Sequence, residues 1–508
     1  MHGLYANLSL GPFEVSAYRW APILFFSLLA GSATGAEKPN ILFILADDLG
    51  YGDLGCYGQK TIRTPHLDQF ATEGMRFTQC YAGSTVCAPS RCALMTGLHT
   101  GHCRVRGNAR VPLHDEDVTV AEVLRDAGYV TGIIGKWGLG EPETPGIPNR
   151  QGFDEWFGYL NQAHAHNYYP EYLWKNETRF PLPGNFAKNG VATRKSVYSH
   201  ALFTDAALEF LDRHHKDRFF LYLAFTLPHA NNEAGHALGD GMEVPDYGEY
   251  ADKPWPTPEK GRAAMITLLD RDIGRILARL DQLGLADNTI VFFSSDNGPH
   301  NEGGSAADFF DSNGPLRGTK RDLTEGGIRV PGIVRWPGHV EPGVTSDYPW
   351  AFWDFLPTAA ALAGASTPKG LDGVSMLPAL TKNVSSREVP LYWEFHERGF
   401  AQGVRQGNWK GIRQDKGPLE LYDLASDPGE TKNVATRHPE IARKLEDILD
   451  QARTDSDDFP VDSSPGKNKS RKRAAMRSGS LSDPQYAENS RIQIRGKQSP
   501  LSPRGARP

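Results

Sequence analysis

The 508-residue chain predicts an α/β fold, in which a large, mostly parallel sheet lies between helices and a small antiparallel unit follows. Three observations predict it. Apolar runs of strand length are continuous rather than alternating, so both faces of those strands are covered. Segments with helical periodicity separate these runs. From about residue 385 the pattern changes to short strand candidates closed by one helix.

Residues 1–36 read as an export signal, because the apolar run APILFFSLLAG (21–31) follows Arg19, leads into small residues up to Ala36 and is too short to span a bilayer. Residues 37–384 carry the strand candidates NILFILA (40–46), YVTGIIG (129–135), RFFLYLAF (218–225) and TIVFFSS (289–295). Helices are expected over 118–127, 199–215 and 261–284. In the last of these Ile266, Leu269, Ile273, Ile276, Leu277 and Leu280 repeat at helical spacing, and Gly284 supplies the stop. Residues 385–455 read as a smaller unit with strands in VPLYWEF, QGVRQGNWKGIRQ and LELYDL and a helix over 438–453.

Residues 456–508 form a basic tail. From Ser464 onward eleven Lys and Arg face two acidic residues, a charge of +9 that leaves -15 on the rest of the chain. Few large apolar residues interrupt its Ser, Pro and Gly, so disorder is expected there. The acidic body argues against nucleic-acid binding by the main domain. No other apolar window reaches membrane length, so no stable membrane insertion is expected.

The apolar strands end on chemistry. Residues 40–46 run into Asp47 and Asp48, 289–295 into Asp296 and Asn297, 129–135 into Lys136, and 218–225 are closely followed by His229. Open α/β sheets bind ligands beyond the carboxyl ends of their strands, so these groups are expected to converge. Asp47, Asp48, Asp296 and Asn297 offer only oxygen, which selects a hard divalent ion, calcium ahead of magnesium, over zinc. Arg91, Lys136, Lys320 and His229 beside them call for an anion, most naturally a phosphate or sulfate ester.

Five cysteines, Cys56, Cys80, Cys87, Cys92 and Cys103, lie within 48 residues. An odd count in an exported chain marks one thiol with a separate task; the other four either form two disulfides, by any of three pairings, or stay reduced. Cys87 stands in STVCAPSRCALMTG (84–97), where four readings are open: disulfide half, metal ligand, thiol nucleophile, or a thiol present to be converted.

CAPSRCALMTG resembles the signature of the sulfatase family, and the resemblance continues in family order through NILFILADDLGYGDLGCYG, TGIIGKWGLG, QGFDEWFGY, TLPHA, TIVFFSSDNG, GPLRGTKRDLTEGGIRVPGIVRWPG and LYDLASDPGETKNVA, most of residues 38–453. It implies an alkaline-phosphatase-like fold and an exported, arylsulfatase-like enzyme that hydrolyses a sulfated small molecule or glycan. It further implies that Cys87 is oxidised to formylglycine by a formylglycine-generating enzyme, and that the aldehyde hydrate is the nucleophile. By matching position, the calcium ligands become Asp47, Asp48, converted Cys87, Asp296 and Asn297. Arg91 would hold the hydrate, Lys136 and Lys320 the sulfate oxygens, and Lys320 and His229 are the candidates to protonate the leaving oxygen. Two alternatives stay open: a phosphatase or phosphodiesterase of the same superfamily, and an inactive sulfatase-like binding protein.

One position departs from the family pattern. Many sulfatases read Lys-Trp-His where this chain reads Lys136, Trp137, Gly138. The missing role then falls to Lys136 acting alone with a lowered pKa, or to a loop histidine, His164 or His166. His99 and His102, shortly after the signature, read as structural. The aromatic residues of 153–174 read either as a sugar platform or as packing within a loop-rich lid.

Overall fold

The computed structural model describes residues 38–382 and 384–461, together with Gly11. The expected export signal, Asn383 and the basic tail beyond Val461 lie outside the described residues.

The centre of the large sheet is built from the apolar runs. Strands β1 (Asn40–Ala46), β2 (Met75–Tyr81), β3 (Val130–Lys136), β4 (Glu155–Tyr159), β5 (Phe219–Ala224), β6 (Thr289–Ser295) and β7 (Arg329–Arg335) lie in the order β2-β7-β6-β1-β5-β3-β4. The pairings from β6 through β1, β5 and β3 to β4 are all parallel; β7 runs antiparallel to both β6 and β2. Short strands widen both edges, Val344–Ser346 beside β2 and Tyr172–Lys175 beside β4. The mixed, mostly parallel sheet is thus present as expected.

Continuous apolar character has its physical reason in β1. Ile41, Phe43 and Leu45 enter one core, whereas Leu42, Ile44 and Ala46 enter the other on the opposite face. Helix Thr257–Gln282 covers the second face, with Ile266, Leu269, Ile273, Ile276, Leu277 and Leu280 all turned inward. Gly284 follows it with a left-handed φ of 68°, as the stop signal requires. The helix expected over 118–127 is Val120–Asp126, closed at its start by a capping box between Thr119 and Glu122.

The parallel strands finish level with one another. Ala46 pairs with Ser295, Leu45 with Ala224, and Gly135 with Ala224, so the residues that follow β1, β6, β5 and β3 emerge at one edge. Parallel register, more than any single contact, gathers the site.

The C-terminal strands Leu391–Phe395, Ala401–Gln406, Trp409–Gln414 and Glu420–Asp423 form an antiparallel sheet in sequence order, with helix Pro439–Gln451 against it. Trp393 fastens that sheet to the large one. Its indole Nε1 donates to the Ala82 carbonyl at 2.9 Å, just beyond β2, and its ring meets Trp353 edge-on with centroids 5.4 Å apart. Lys410 adds a fully buried ion pair to Glu325 at 2.8 Å, with Glu430 at 3.2 Å.

Replacing Trp393 by Ala is expected to lower unfolding free energy by about 3–5 kcal/mol, the range for deleting a buried large aromatic side chain. Denaturant unfolding monitored by circular dichroism checks it; a loss below about 1 kcal/mol would show that the two sheets do not depend on this contact.

Candidate active site

The signature folds as helix α1 (Cys87–Thr96), all of whose residues are buried. Pro89 sits in the first turn, where a missing N–H costs nothing, and Gly97 ends the helix at φ 70° with its N–H on the Ala93 carbonyl. Asn108 Oδ1 accepts the Ala88 N–H at 3.0 Å, satisfying one donor that the helix start leaves free. Cys87 therefore opens the helix on a fixed backbone. Arg91, one turn later, projects from the same face.

These two residues meet the strand ends in one buried lattice. Cys87 Sγ lies 3.4 Å from Asp47 Oδ1, and Asp47 Oδ2 accepts from Lys136 Nζ at 2.7 Å. Arg91 donates from Nε and Nη2 to Asp296 Oδ2, at 3.1 and 2.7 Å, and from Nη1 to the Lys136 carbonyl. Asp296 Oδ1 accepts the Asp48 N–H at 3.1 Å. Asp48 itself has a left-handed φ of 64°, a conformation rarely held by a non-glycine residue unless its surroundings enforce it.

Asp48 Oδ2 accepts from Lys320 Nζ at 2.8 Å, and Lys320 also reaches His229 Nε2 at 3.1 Å. His229 Nδ1 donates to the Ala230 carbonyl at 2.6 Å, which fixes the tautomer and leaves Nε2 as an acceptor. Asn297 donates from Nδ2 to Asp48 Oδ1, whereas its own Oδ1 is buried and receives no hydrogen bond.

All nine residues singled out from the sequence come together here. Donor atoms of Asp47, Asp48, Cys87 and His229 lie within 4.8 Å of one another, close enough to share a metal ion. Asp296 lies beside that group; like Asp47 and Asp48 it has both oxygens engaged, here by Arg91 and by the Asp48 amide.

Electrostatics follow from the packing. Burial would raise the Asp47 carboxyl, but Lys136, Arg91 and Lys320 outweigh it and hold it at about 2. Asp48 is held low in the same way by Lys320 against its burial. Asp296, by contrast, is pushed up to about 7 by burial and by Asp47. Burial and the Asp47 charge push the Cys87 thiol well above its usual range, which disfavours the thiolate. Burial and the Lys320 charge keep His229 neutral.

The Lys136 pKa corrects an expectation. Burial tends to lower it, but the Asp47 carboxylate raises it further, which favours Lys136 as a cation over a free base. The loop histidines separate too: His166 stacks on His229 with ring centroids 4.9 Å apart and bonds Glu233 through Nδ1, while His164 packs against Tyr159 and Tyr172.

A cavity of about 230 Å³ opens over Cys87, Lys320 and His229. Among the described residues that line it none is Phe, Tyr or Trp; Phe153, Trp156, Tyr159 and Tyr168 are buried in packing, whereas Phe157, Tyr172 and Trp174 are half-buried outside the cavity lining. Sequence reasoning missed Glu302, which bonds Lys320 at 3.3 Å and Arg321 at 2.5 Å, and the cavity residues Arg110, Gln162 and Asn232. The match of GPLRGTKRDLTEGG to the family was the one signal that pointed near Arg321.

A family model described as Sulfatase matches residues 39–365, and one described as N-sulphoglucosamine sulphohydrolase, C-terminal, matches 318–455. The chain is 34% identical to human arylsulfatase A, covering 84% of this chain and 89% of that protein. It is 36% identical to pig N-acetylgalactosamine-6-sulfatase, covering 86% and 90% respectively. The solved structure of Ps i-CgsB with k-i-k-neocarrahexaose superposes with a TM-score of 0.72 at 29% identity, covering 85% of this chain and 97% of that one. The phosphonate monoester hydrolase of Agrobacterium radiobacter, at 21% identity and a TM-score of 0.58, shares the fold, over 84% of this chain and all of that one.

A second cluster, His99, His102 and Asp372, also has donor atoms within 4.8 Å of one another. Its hydrogen bonds argue for a structural role. His99 Nδ1 accepts the Gly101 N–H at 3.2 Å, so the neutral ring carries its proton on Nε2, the atom that faces Asp372 at 3.4 Å, and no lone pair is left there for a metal. Burial lowers the His99 pKa from 6.5 to about 4, against the pull of Asp372. The unfolded chain then binds more protons than the folded one between those values, so the penalty is absent above pH 6.5 and grows as pH falls. Between pH 7 and pH 5 the protein is expected to lose about 2 kcal/mol more stability than a His99→Asn variant; parallel urea titrations check it, and equal losses would contradict a buried neutral His99.

Proposed function

The chain belongs to the sulfatase family and is a sulfuric ester hydrolase, and on that premise we propose that it is an exported, calcium-dependent enzyme whose nucleophile is formylglycine made from Cys87. The observation that carries this reading is the position of Cys87: buried at the start of α1, on the floor of the cavity, with Asp47, Lys136 and Lys320 around it. A thiol so placed is a poor thiolate, whereas a side chain destined for conversion needs no low pKa.

The donor set fits a hard cation. Asp47, Asp48, Asp296 and Asn297 would hold it, all through oxygen, and the buried, unpaired Asn297 Oδ1 is an acceptor that lacks a positive partner. Calcium would supply charge that polarises a sulfate oxygen and acidifies a bound hydroxyl. The hydrated formylglycine would supply the hydroxyl that attacks sulfur.

The remaining work falls to the chain's own cations. Arg91 keeps Asp296 and the end of β3 in place, so that the Asp296 carboxylate is oriented before substrate arrives. Lys136 and Lys320 present ammonium groups to the sulfate oxygens. Lys320 is the proton donor to the leaving oxygen, because His229 is neutral and points a lone pair at Lys320; such a donor typically contributes about 10²–10⁴-fold. His229 thereby aims the Lys320 ammonium. The substrate we assign is a sulfated carbohydrate or small molecule, in line with the names of the relatives.

Mass spectrometry of the Cys87 peptide from the native host is expected to show the thiol replaced by an aldehyde, and Cys87→Ala to lose more than about 1,000-fold in sulfate release. An intact thiol in fully active protein would end the formylglycine reading. Calcium at 100 times its dissociation constant should raise stability by about 2.7 kcal/mol. Asp48→Asn should abolish the increment, and its persistence in that variant would place the ion elsewhere.

A further inference from the structure

Two residues that line the cavity carry side-chain amide atoms with no hydrogen-bond partner. Gln162 Nε2 and Oε1 are both buried without a partner, and so is Asn232 Oδ1. Leaving such a group unpaired costs about 1–3 kcal/mol, so an unsatisfied carboxamide beside the site has reason to take up a partner there.

Gln162 is fixed from behind. The preceding residue, Asn161, caps the short helix Gln162–Ala165 by accepting the His164 N–H at 3.0 Å, and donates to Glu141 Oε2 at 3.0 Å. In front, Gly138 makes the room: it has a left-handed φ of 83°, and a Cβ built there would run into Gln162 Nε2. The glycine two residues past Lys136 and the amide that leans over it form a matched pair. His166 offers no equivalent, since its Nδ1 is engaged by Glu233 and its ring by His229.

We infer that the Gln162 carboxamide binds a hydroxyl of the substrate beside the sulfate ester, donating from Nε2 and accepting at Oε1, and so selects sulfated sugars over aryl sulfates. The inference rests on the sulfatase reading above. A sugar hydroxyl is both donor and acceptor, which matches a primary amide, whereas a phenyl ring offers neither function. The lining also lacks the aromatic side chains on which a phenyl group would stack. Sites built to hydrogen-bond a hydroxyl discriminate strongly against analogues without one, because the buried polar group is then left unpaired.

The test compares converted wild-type enzyme with Gln162→Met, which keeps the length of the side chain but neither hydrogen-bonding function, and with Gln162→Ala. Each is assayed on a panel of monosaccharide sulfates and on 4-nitrophenyl sulfate. Both variants are expected to lose about 10- to 100-fold in kcat/KM on the preferred sugar sulfate while 4-nitrophenyl sulfate turnover stays within about threefold. Sugar turnover at parity with wild type, an equal fall on both substrate types, or a wild-type enzyme that accepts only the aryl ester would overturn the inference and leave the sulfatase reading intact. A wild-type enzyme with no activity on any sulfate ester would sink that reading, and this one with it.

Discussion

The need to pair every buried charge governs this structure. Asp47, Asp48, Asp296, Arg91, Lys136 and Lys320 are all taken out of water at the strand ends, at a desolvation cost of several kcal/mol per ion that only close opposite charges and hydrogen bonds offset. The lattice therefore admits few arrangements. Arg91 spans Asp296 and the β3 carbonyl, Lys136 closes on Asp47, and Lys320 closes on Asp48. Loss of one member leaves another buried charge short of a partner.

Such a lattice is costly for stability and useful for chemistry. Its groups are oriented by one another before a substrate enters, which is what electrostatic catalysis requires of a site. The cost is borne by the sheet, whose central strands bury apolar side chains on both faces and whose parallel register brings four strand ends level. The left-handed backbone of Asp48 fits this picture, since a strained conformation persists only where surrounding contacts overdetermine it.

Around this rigid floor the cavity wall is polar and adaptable. Its carboxamides Gln162 and Asn232 open short helices, and Glu141 and Arg110 come from loops, in the connections between strands that are the parts of an α/β fold most free to vary without disturbing the core. Gly138 belongs to the floor and Gln162 to the wall, and their contact is where the two meet.

By itself the sequence determined the α/β class, the helices and the nine candidate residues that the fold brings together, because continuous apolar runs, helical spacing and the signature are local patterns. It also pointed to the one family departure, at Gly138. It did not reveal Glu302, Asn232 or Gln162, nor that its neighbours favour Lys136 as a cation, nor that the 153–174 aromatics lie outside the cavity lining. Only the tertiary structure decided these, because loop side chains far apart in sequence carry no periodic signal, and a pKa depends on which charges lie within a few ångströms after folding.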